Sequence, residues 1–97
     1  MAMLNINDGI KEFRKNKNAV LLDVRTKKEY NYGNIKGSVN IPVQLLERVS
    51  RQIVDKDTPI YVYCHSGIRS ARSVQALKDM GYNKVTDIGG IKDYIDN

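Results

Sequence analysis

The chain has 97 residues, of which 41% are hydrophobic and 28% are charged, a composition typical of a small globular protein. This length predicts a single domain over residues 1–97. No apolar run approaches the ~20 residues that a membrane-spanning helix needs. The N-terminus also lacks a basic segment followed by a long apolar stretch. We therefore expect no membrane partner and no secretory signal.

The net charge is +5, because 16 lysines and arginines outnumber 11 aspartates and glutamates. The basic residues are scattered and lack interleaved aromatic side chains, which argues against nucleic acid as a partner. The positive charge either serves solubility or draws a small anion to a cleft. The single cysteine cannot form an internal disulfide, and it indicates a reducing compartment, most simply the cytoplasm. With only one histidine, a histidine metal cluster is excluded, so we expect no metal and no cofactor.

The first part of the chain predicts a strand, a helix and a second strand. Leu4–Ile6 is a candidate for a short first strand. A helix follows, with Asn7 or Asp8 as its cap. The nearly continuous apolar run over residues 19–24 is typical of a strand that is covered on both faces.

The middle of the chain predicts two helices that flank a short strand. Thr26 is expected to cap a short helix that ends at Gly33. Residues 38–41 form a strand candidate, and Pro42 fits the first turn of the next helix. The apolar residues of that helix share one face: Leu45, Leu46, Val49 and Ile53.

The last part predicts a strand over residues 60–63, a helix over 68–80 that Gly81 ends, and a strand over 84–88. A short final helix then runs through Tyr94 and Ile95. The buried side of the longer helix is expected to hold Ala71, Val74 and Leu77. Strands that alternate with helices indicate an α/β fold with a mainly parallel sheet and helices on both faces.

The cysteine lies where a predicted strand meets a predicted helix. The loop reads Cys64-His65-Ser66-Gly67-Ile68-Arg69. Ligands of parallel sheets bind beyond the carboxyl ends of the strands, and the N–H groups at a helix N-terminus favour an anion. Gly67 permits backbone angles that a side chain forbids. We therefore predict that the N–H groups of residues 65–69 surround the sulfur, stabilise its thiolate and bind an anion.

Several motifs follow one another in a recognisable order. They are Leu21-Leu22-Asp23-Val24-Arg25, Glu29-Tyr30 with Gly33, Ile35 and Gly37, Asn40-Ile41-Pro42, the loop Cys64–Ser70, Gly81-Tyr82 with Val85, and Gly89-Gly90-Ile91. With these motifs the chain resembles the rhodanese-like sulfurtransferase family over nearly its whole length. The resemblance implies a five-stranded parallel sheet flanked by helices, and a cysteine that carries sulfane sulfur as a persulfide. Two residues depart from the family pattern: Asn34 replaces a frequent histidine, and Tyr94 stands near a frequent tryptophan.

The resemblance and the chemistry together suggest a role for each site residue. Cys64 is the expected nucleophile, which takes sulfur from thiosulfate or a similar small anion and passes it to cyanide, a thiol or a sulfur-accepting protein. The expected substrate-binding residues are His65, Ser66, Gly67, Ile68 and Arg69. Arg69 is expected either to hold the anionic donor or to brace the loop against a carboxylate. Three residues are expected to support the site: Asp23 by hydrogen bonds to loops, and Arg25 by pairing with Glu29.

Two other functions stay open. The first is a persulfide carrier or protein-interaction module with little turnover. The second is a cysteine-dependent phosphatase or arsenate reductase, since some of these enzymes resemble the same fold. Their loops have five residues between cysteine and arginine, whereas here there are four, His65 to Ile68. A shorter loop makes a tighter pocket, which suits a sulfur atom better than a tetrahedral oxyanion. In the absence of a second domain we expect a monomer.

Overall fold

The chain is described by a computed structural model over residues 4–95. In this range helices and strands alternate. The strands are β1 (Val20–Asp23), β2 (Ser38–Asn40), β3 (Ile60–Cys64) and β4 (Val85–Gly90). The α-helices are α1 (Ile6–Lys15), α2 (Lys27–Tyr32), α3 (Val49–Gln52) and α4 (Ile68–Asp79). Two segments are 3-10 helices, Val43–Arg48 and Ile91–Asp93.

The four strands form one parallel sheet in the order β2-β1-β3-β4. Leu22 of β1 lies beside Val39 of β2 on one side and Val62 of β3 on the other. Because all strands run in the same direction, their carboxyl ends meet at one edge of the sheet, and Cys64 ends β3 at that edge. The predicted α/β fold with a parallel sheet is therefore confirmed.

The predicted fifth strand is not formed in the described range, and the sheet has four strands. Leu4 makes one hydrogen bond to β4, from its N–H to the carbonyl oxygen of Asp87 (2.9 Å). The next residue, Asn5, already caps α1 by accepting a hydrogen bond from the N–H of Asp8. The prediction of a strand over Leu4–Ile6 was wrong, as was the choice of Asn7 or Asp8 as the cap, because the helix begins at Ile6.

Two hydrophobic clusters cover the two faces of the sheet. The first cluster lies under α3 and α4 and comprises Leu22, Val24, Ile41, Leu46, Val49, Ile53, Ile60, Val62, Cys64, Val74, Leu77, Tyr82 and Val85. The second lies under α1 and comprises Ile6, Ile10, Leu21, Ile35, Tyr61, Tyr63 and Ile88. Both faces of β1 and β3 are therefore buried, which explains why these strands are continuous apolar runs.

Most of the other predicted elements are present, with three local differences. The predicted final helix through Tyr94 and Ile95 was wrong, because the 3-10 helix ends at Asp93 and the backbone of Tyr94 is extended (φ −74°, ψ 130°). The segment after Pro42 is a 3-10 helix followed by α3, because the backbone at Leu45 leaves helical geometry (φ −116°, ψ 20°). In α4, Ala71 is exposed, and Ser70 and Ser73 are buried beside Val74 and Leu77. The prediction for Ala71 was therefore wrong, since polar residues occupy part of the buried side of this helix.

The short helix α2 follows its local signals closely. The Thr26 hydroxyl accepts a hydrogen bond from the N–H of Glu29, and the Glu29 carboxylate accepts one from the N–H of Thr26. The helix ends at Gly33, as predicted. No helix between residues 4 and 95 combines the length and apolar content needed to cross a lipid bilayer.

The end of β4 touches the backbone of the cysteine loop. A Cβ atom on Gly90 would overlap the carbonyl group of His65 and the Cα of Ser66. The N–H of Lys92 also donates to the carbonyl oxygen of His65 (3.2 Å). Glycine at position 90 is thus required by close backbone approach, because its own dihedral angles are ordinary extended ones (φ −121°, ψ 136°).

We expect Gly90→Ala to lower the free energy of unfolding by about 1–3 kcal/mol, because a rigid backbone neighbour must move. Gly33→Ala is the matched control, since Gly33 is extended (φ 165°) and has open space around its Cβ position. That control should stay within about 0.5 kcal/mol of the wild type in urea unfolding. Equal stability of the two variants would contradict the close approach at Gly90.

Candidate active site

The sulfur of Cys64 lies at the junction of β3 and α4, where two backbone N–H groups point at it. The N–H of Gly67 donates to Sγ at 3.0 Å, and the N–H of Ser70 donates at 3.3 Å. Cys64 is fully buried and belongs to the first hydrophobic cluster. Of the amides of residues 65–69 that were expected to surround the sulfur, the structure brings Gly67 to it, and it adds Ser70 from one position further on.

The backbone of Gly67 makes this geometry possible. Its φ of 105° and ψ of −11° lie in the left-handed region, which side chains strongly disfavour. Gly67 immediately precedes α4, so the sulfur lies at the N-terminus of a 12-residue helix. The helix dipole places roughly half a positive charge at such a terminus. Loop conformation and helix direction therefore both favour negative charge on the sulfur.

The side chains of the loop itself face outwards. His65 and Ser66 are exposed, and Ile68 is 67% exposed. In the described part of the chain, none of these three side chains donates to or accepts from Cys64. They border the loop at its surface, and the contacts to the sulfur come from the backbone.

Arg69 is held by a carboxylate from α2. Its Nη1 and Nη2 donate to Oε1 and Oε2 of Glu29 at 2.6 and 2.9 Å, a two-point ion pair. The hydrogen bonds from Arg69 outweigh partial burial and lower the pKa of Glu29 from 4.5 to about 2. The pKa of Arg69 is raised, first by the hydrogen bonds to Glu29 and further by the nearby Cys64. Of the two roles expected for Arg69, the structure shows the brace against a carboxylate.

The expected pair between Arg25 and Glu29 is not formed, and this prediction was wrong. Arg25 turns back to Asp23, with Nη2 at 2.6 Å from Oδ2 and Nε at 3.0 Å from both carboxylate oxygens. Asp23 is fully buried, and a buried carboxylate is destabilising unless a cation or donors compensate its charge. Burial alone lowers the pKa of Arg25, but the hydrogen bonds and charge of Asp23 outweigh it, so the pKa is raised.

This buried pair also ties the loops at the carboxyl edge of the sheet. Arg25 Nη2 donates to the carbonyl oxygen of Gly33 (2.8 Å), which holds the end of α2. The Asn40 side chain donates to the carbonyl oxygens of Asp23 and Arg25 (3.0 and 2.9 Å). Asp23 therefore lies at the edge of the sheet where it was expected to hold loops by hydrogen bonds. Its carboxylate accepts hydrogen bonds from Arg25, and its carbonyl oxygen accepts one from Asn40.

Two residues whose roles sequence reasoning missed are linked to the sulfur by hydrogen bonds, Ser70 directly and Asp87 through Ser70. Ser70 is fully buried, and its hydroxyl donates to Oδ1 of Asp87 (2.9 Å). Asp87 is 2% exposed and also accepts a hydrogen bond from the N–H of Gly89 (2.9 Å). An available signal was the acidic residue inside the predicted final strand, next to the apolar Ile88, since an acidic residue that is buried there needs partners.

The two departures from the family pattern lie away from the sulfur. The side-chain amide of Asn34 donates to the carbonyl oxygen of Tyr30 (3.0 Å), next to the end of α2. Tyr94 follows the last 3-10 helix, and its hydroxyl accepts a hydrogen bond from Arg14 of α1 (3.2 Å). Neither residue hydrogen-bonds to the cysteine loop in the described range.

Among residues 4–95, no group of three or more histidine, cysteine, aspartate and glutamate side chains is arranged to hold a metal ion.

Comparison with known proteins gives the family. Residues 7–97 match the rhodanese-like domain. The chain belongs to the rhodanese-like family. The structure of a rhodanese with anions from E. coli is 32% identical, with a TM-score of 0.75, and the match covers 81% of this chain and 94% of that one.

Two curated relatives with different names illustrate the range of the family. The thiosulfate sulfurtransferase PspE of Escherichia coli is 36% identical over 73 residues, which is 74% of this chain and 70% of PspE. The putative sulfur carrier protein YrkF of Bacillus subtilis is 36% identical over 75 residues, which is 76% of this chain and 40% of YrkF. This chain therefore matches most of a relative named as an enzyme and less than half of one named as a carrier.

The ion pair of Glu29 has a defined pH dependence. The pKa of Glu29 is lowered from 4.5 to about 2, so the pair stabilises the fold fully above about pH 4.5 and loses its contribution as the pH falls through about 2. After allowance for solvent screening of this part-exposed pair, we expect Glu29→Gln to destabilise the fold by about 1 kcal/mol or less at neutral pH.

This expectation is checked by following the side-chain carboxyl carbon of Glu29 by NMR during an acid titration, and by urea unfolding of the variant at neutral pH. Glu47→Gln is the control, because Glu47 is exposed and has no ion pair within residues 4–95. A midpoint for Glu29 at its ordinary value of 4.5 would show that the pair does not form in solution.

Proposed function

We propose that the chain is a sulfurtransferase that moves sulfane sulfur from thiosulfate or a similar donor to a thiophilic acceptor, cyanide or a thiol, through a persulfide on Cys64. The observation that supports this most directly is the pair of N–H groups, from Gly67 and Ser70, on the Cys64 sulfur. Fixed N–H donors stabilise negative charge that develops at a reacting atom. Both forms of the sulfur that react in this mechanism are anionic.

In the loading step the Cys64 thiolate attacks the outer sulfur of thiosulfate. A new bond forms between Sγ and that sulfur, while the sulfur–sulfur bond of thiosulfate breaks. The electron pair of the broken bond leaves with sulfite, and the enzyme keeps the outer sulfur as a persulfide. The step is a nucleophilic displacement with a covalent intermediate, and it needs no external oxidant or reductant.

In the second step the acceptor attacks the outer sulfur of the persulfide. With cyanide, a carbon–sulfur bond forms and thiocyanate leaves. The bond between the two sulfurs breaks, and its electron pair returns to Sγ, so that Cys64 is again a thiolate. Gly67 and Ser70 donate to Sγ in both steps. Sγ is the nucleophile in the first step and the leaving group in the second.

The burial of Cys64 determines where the outer sulfur lies. A sulfur–sulfur bond is ~2.05 Å long, so the second sulfur of a persulfide extends from the buried Sγ towards the loop. Within residues 4–95, the amides of Ser66, Ile68 and Arg69 donate to no protein acceptor. We assign these amides to the outer sulfur and the donor anion, since they belong to the loop that encloses Sγ.

Arg69 assists the anionic donor without leaving Glu29. A guanidinium group has five N–H donors, and the ion pair uses two of them. The remaining donors are available to the sulfonate end of thiosulfate, so the brace and the anion site are compatible. The exposed side chains of His65 and Ile68 border this entrance and are proposed to contact the substrate there.

A persulfide carrier is the second candidate, and two observations favour it. The sulfur is fully buried, which protects a persulfide from solvent, and the relative YrkF is named a putative sulfur carrier. In that function the acceptor is a protein.

We further propose that residues 1–97 act as one domain and as a monomer. We also propose that they act in a reducing compartment such as the cytoplasm, because the lone cysteine must return to its thiolate after each transfer.

The first test compares the wild type with Cys64→Ser in a thiosulfate:cyanide assay. We expect thiocyanate formation by the wild type and none above background by the variant, because the hydroxyl is a far weaker nucleophile than the thiolate. Intact-mass measurement after incubation with thiosulfate should show the mass of one added sulfur on the wild type alone.

Three other outcomes would change the assignment. Stable sulfur loading with little transfer to cyanide would favour the carrier. Turnover of a phosphomonoester above that of thiosulfate would favour a phosphatase. Thiocyanate formation that survives Cys64→Ser would exclude the persulfide mechanism altogether.

The second test concerns Arg69. We expect Arg69→Ala to raise the KM for thiosulfate by about tenfold or more, the effect of losing a charged hydrogen bond, and to shorten the lifetime of the persulfide much less. Arg72→Ala is the control, because Arg72 is exposed on the same helix and has no ion pair in the described range. An equal loss of thiosulfate binding and persulfide lifetime would mean that Arg69 serves the loop alone.

A further inference from the structure

One residue joins the reactive sulfur to a carboxylate on the neighbouring strand. Ser70 donates its backbone N–H to Sγ of Cys64 (3.3 Å) and its hydroxyl to Oδ1 of Asp87 (2.9 Å). Both Ser70 and Asp87 are buried, at 0% and 2% exposure. The orientation of the amide at the sulfur is therefore coupled to a side chain that does not touch the sulfur.

Packing alone does not account for Asp87. In the described range it has no cation within ion-pair distance, and its carboxylate accepts hydrogen bonds from the hydroxyl of Ser70 and the N–H of Gly89. Burying a carboxylate without a cation is less favourable than burying an apolar side chain in the same place. The neighbours Val85 and Ile88 show that β4 accommodates apolar side chains.

The Ser70 hydroxyl has a choice of acceptors, and the carboxylate is the stronger. Its oxygen lies 3.0 Å from the carbonyl oxygen of Gly67 and 2.9 Å from Oδ1 of Asp87. A hydroxyl has one hydrogen, and a charged acceptor makes the stronger bond. Gly67 and Ser70 are also the two residues whose amides donate to the sulfur.

We propose that Ser70 and Asp87 form a positioning pair that holds the first turn of α4 against β4 and so keeps the Ser70 amide directed at the Cys64 sulfur during sulfur transfer. This inference rests on the proposed function. Asp87 acts through its oxygen as an acceptor. Its negative charge is not the useful feature, because an additional anion near the sulfur disfavours the thiolate.

The distinction between acceptor and charge determines the test. Asp87→Asn keeps an oxygen for Ser70 and Gly89 but removes the charge, whereas Asp87→Ala removes the acceptor. We expect the asparagine variant to keep kcat for thiosulfate:cyanide transfer within about threefold of the wild type. We expect the alanine variant to lose about tenfold or more, since a missing donor at such a site lowers kcat by about 10²–10³.

The KM for thiosulfate should change little in either variant, because the pair acts on the sulfur and not on the sulfonate end of the donor. This separates it from Arg69, whose removal is expected to raise the KM. Ser70→Ala should reproduce the loss of kcat seen in Asp87→Ala, because it breaks the same hydrogen bond from the other side.

Ser73→Ala is the matched control. Ser73 is fully buried, lies one turn further along α4 and donates its hydroxyl to the carbonyl oxygen of Arg69 (2.8 Å). Losing this hydroxyl removes a similar buried hydrogen bond from the same helix without touching Asp87 or the sulfur. We expect its kcat to remain within about threefold of the wild type, even where its thermal stability falls as much as that of Ser70→Ala.

A second measurement keeps the test independent of the proposed function. The alkylation rate of Cys64 by iodoacetamide depends on the thiolate and on access to the buried sulfur, so the rate at neutral pH is divided by the plateau rate at high pH, which reports access alone. This ratio should fall about tenfold in Ser70→Ala and Asp87→Ala but not in Asp87→Asn or Ser73→Ala. If the wild type transfers no sulfur, the proposed function fails, and the alkylation rates still decide the positioning role. If Asp87→Ala does not fold, Ser70→Ala against Ser73→Ala decides it.

Two results would overturn the inference. In the first, Ser70→Ala matches Ser73→Ala in both kcat and alkylation rate, so that the Ser70 hydroxyl has no special effect on the sulfur. In the second, Asp87→Asn loses as much as Asp87→Ala, so that the charge and not the acceptor is what the site requires.

Discussion

The site depends on one contact: the backbone N–H groups of Gly67 and Ser70 both donate to the sulfur of Cys64. β3 is a central strand whose residues are all buried, and Cys64 is its last residue, so the sulfur lies at the carboxyl edge of the sheet. The left-handed backbone of Gly67 then turns the chain directly into α4, so that the amides of Gly67 and of Ser70, in the first turn of α4, donate to the sulfur. Gly90 completes the arrangement, because only a residue without a side chain lets β4 touch the loop from behind. None of these features requires a particular side chain at the exposed loop positions.

Two of the three acidic residues described around the site are paired with guanidinium groups, and Asp87 is the one that has no cation partner in the described range. Asp23 is paired with Arg25, and Glu29 with Arg69, so two carboxylates and two guanidinium groups contribute little net field. The net charge of +5 is spread over the surface and is screened by salt over about 8–10 Å. On the proposed function, stabilisation of negative charge on the sulfur depends mainly on the amides and the helix terminus, which are fixed by the backbone. The proposal therefore expects the positioning of α4 to matter more than the identity of its exposed residues.

The sequence was sufficient to predict features that neighbouring residues determine, such as helix ends. It was insufficient to predict contacts between residues that are far apart in the chain. Thr26 and Gly33 bound α2 as predicted, because caps act within a few residues. At the N-terminus Asn5, Asn7 and Asp8 are all suitable caps, so their local signals could not locate the start of α1. Arg25 and Glu29 have the spacing of a helical ion pair, yet each found a different partner, Asp23 and the distant Arg69. The buried role of Asp87 depends on how β4 aligns with α4, which no local pattern encodes.

The helix α2 illustrates how the same polar contacts serve both the fold and the site. None of its six residues is buried, so hydrophobic burial contributes little to holding it in place. It is held by the capping box at its start, by Arg25 on the carbonyl of Gly33, by the Tyr30 hydroxyl on the carbonyl of Ser38 (2.8 Å), and by Glu29 on Arg69. An anion that binds Arg69 must therefore share the guanidinium with Glu29. On the proposed function, a small donor that uses the remaining N–H groups leaves this ion pair in place. A larger polyanion that displaced Glu29 would remove one of the four contacts of α2, so its binding would be opposed by the contribution of that pair.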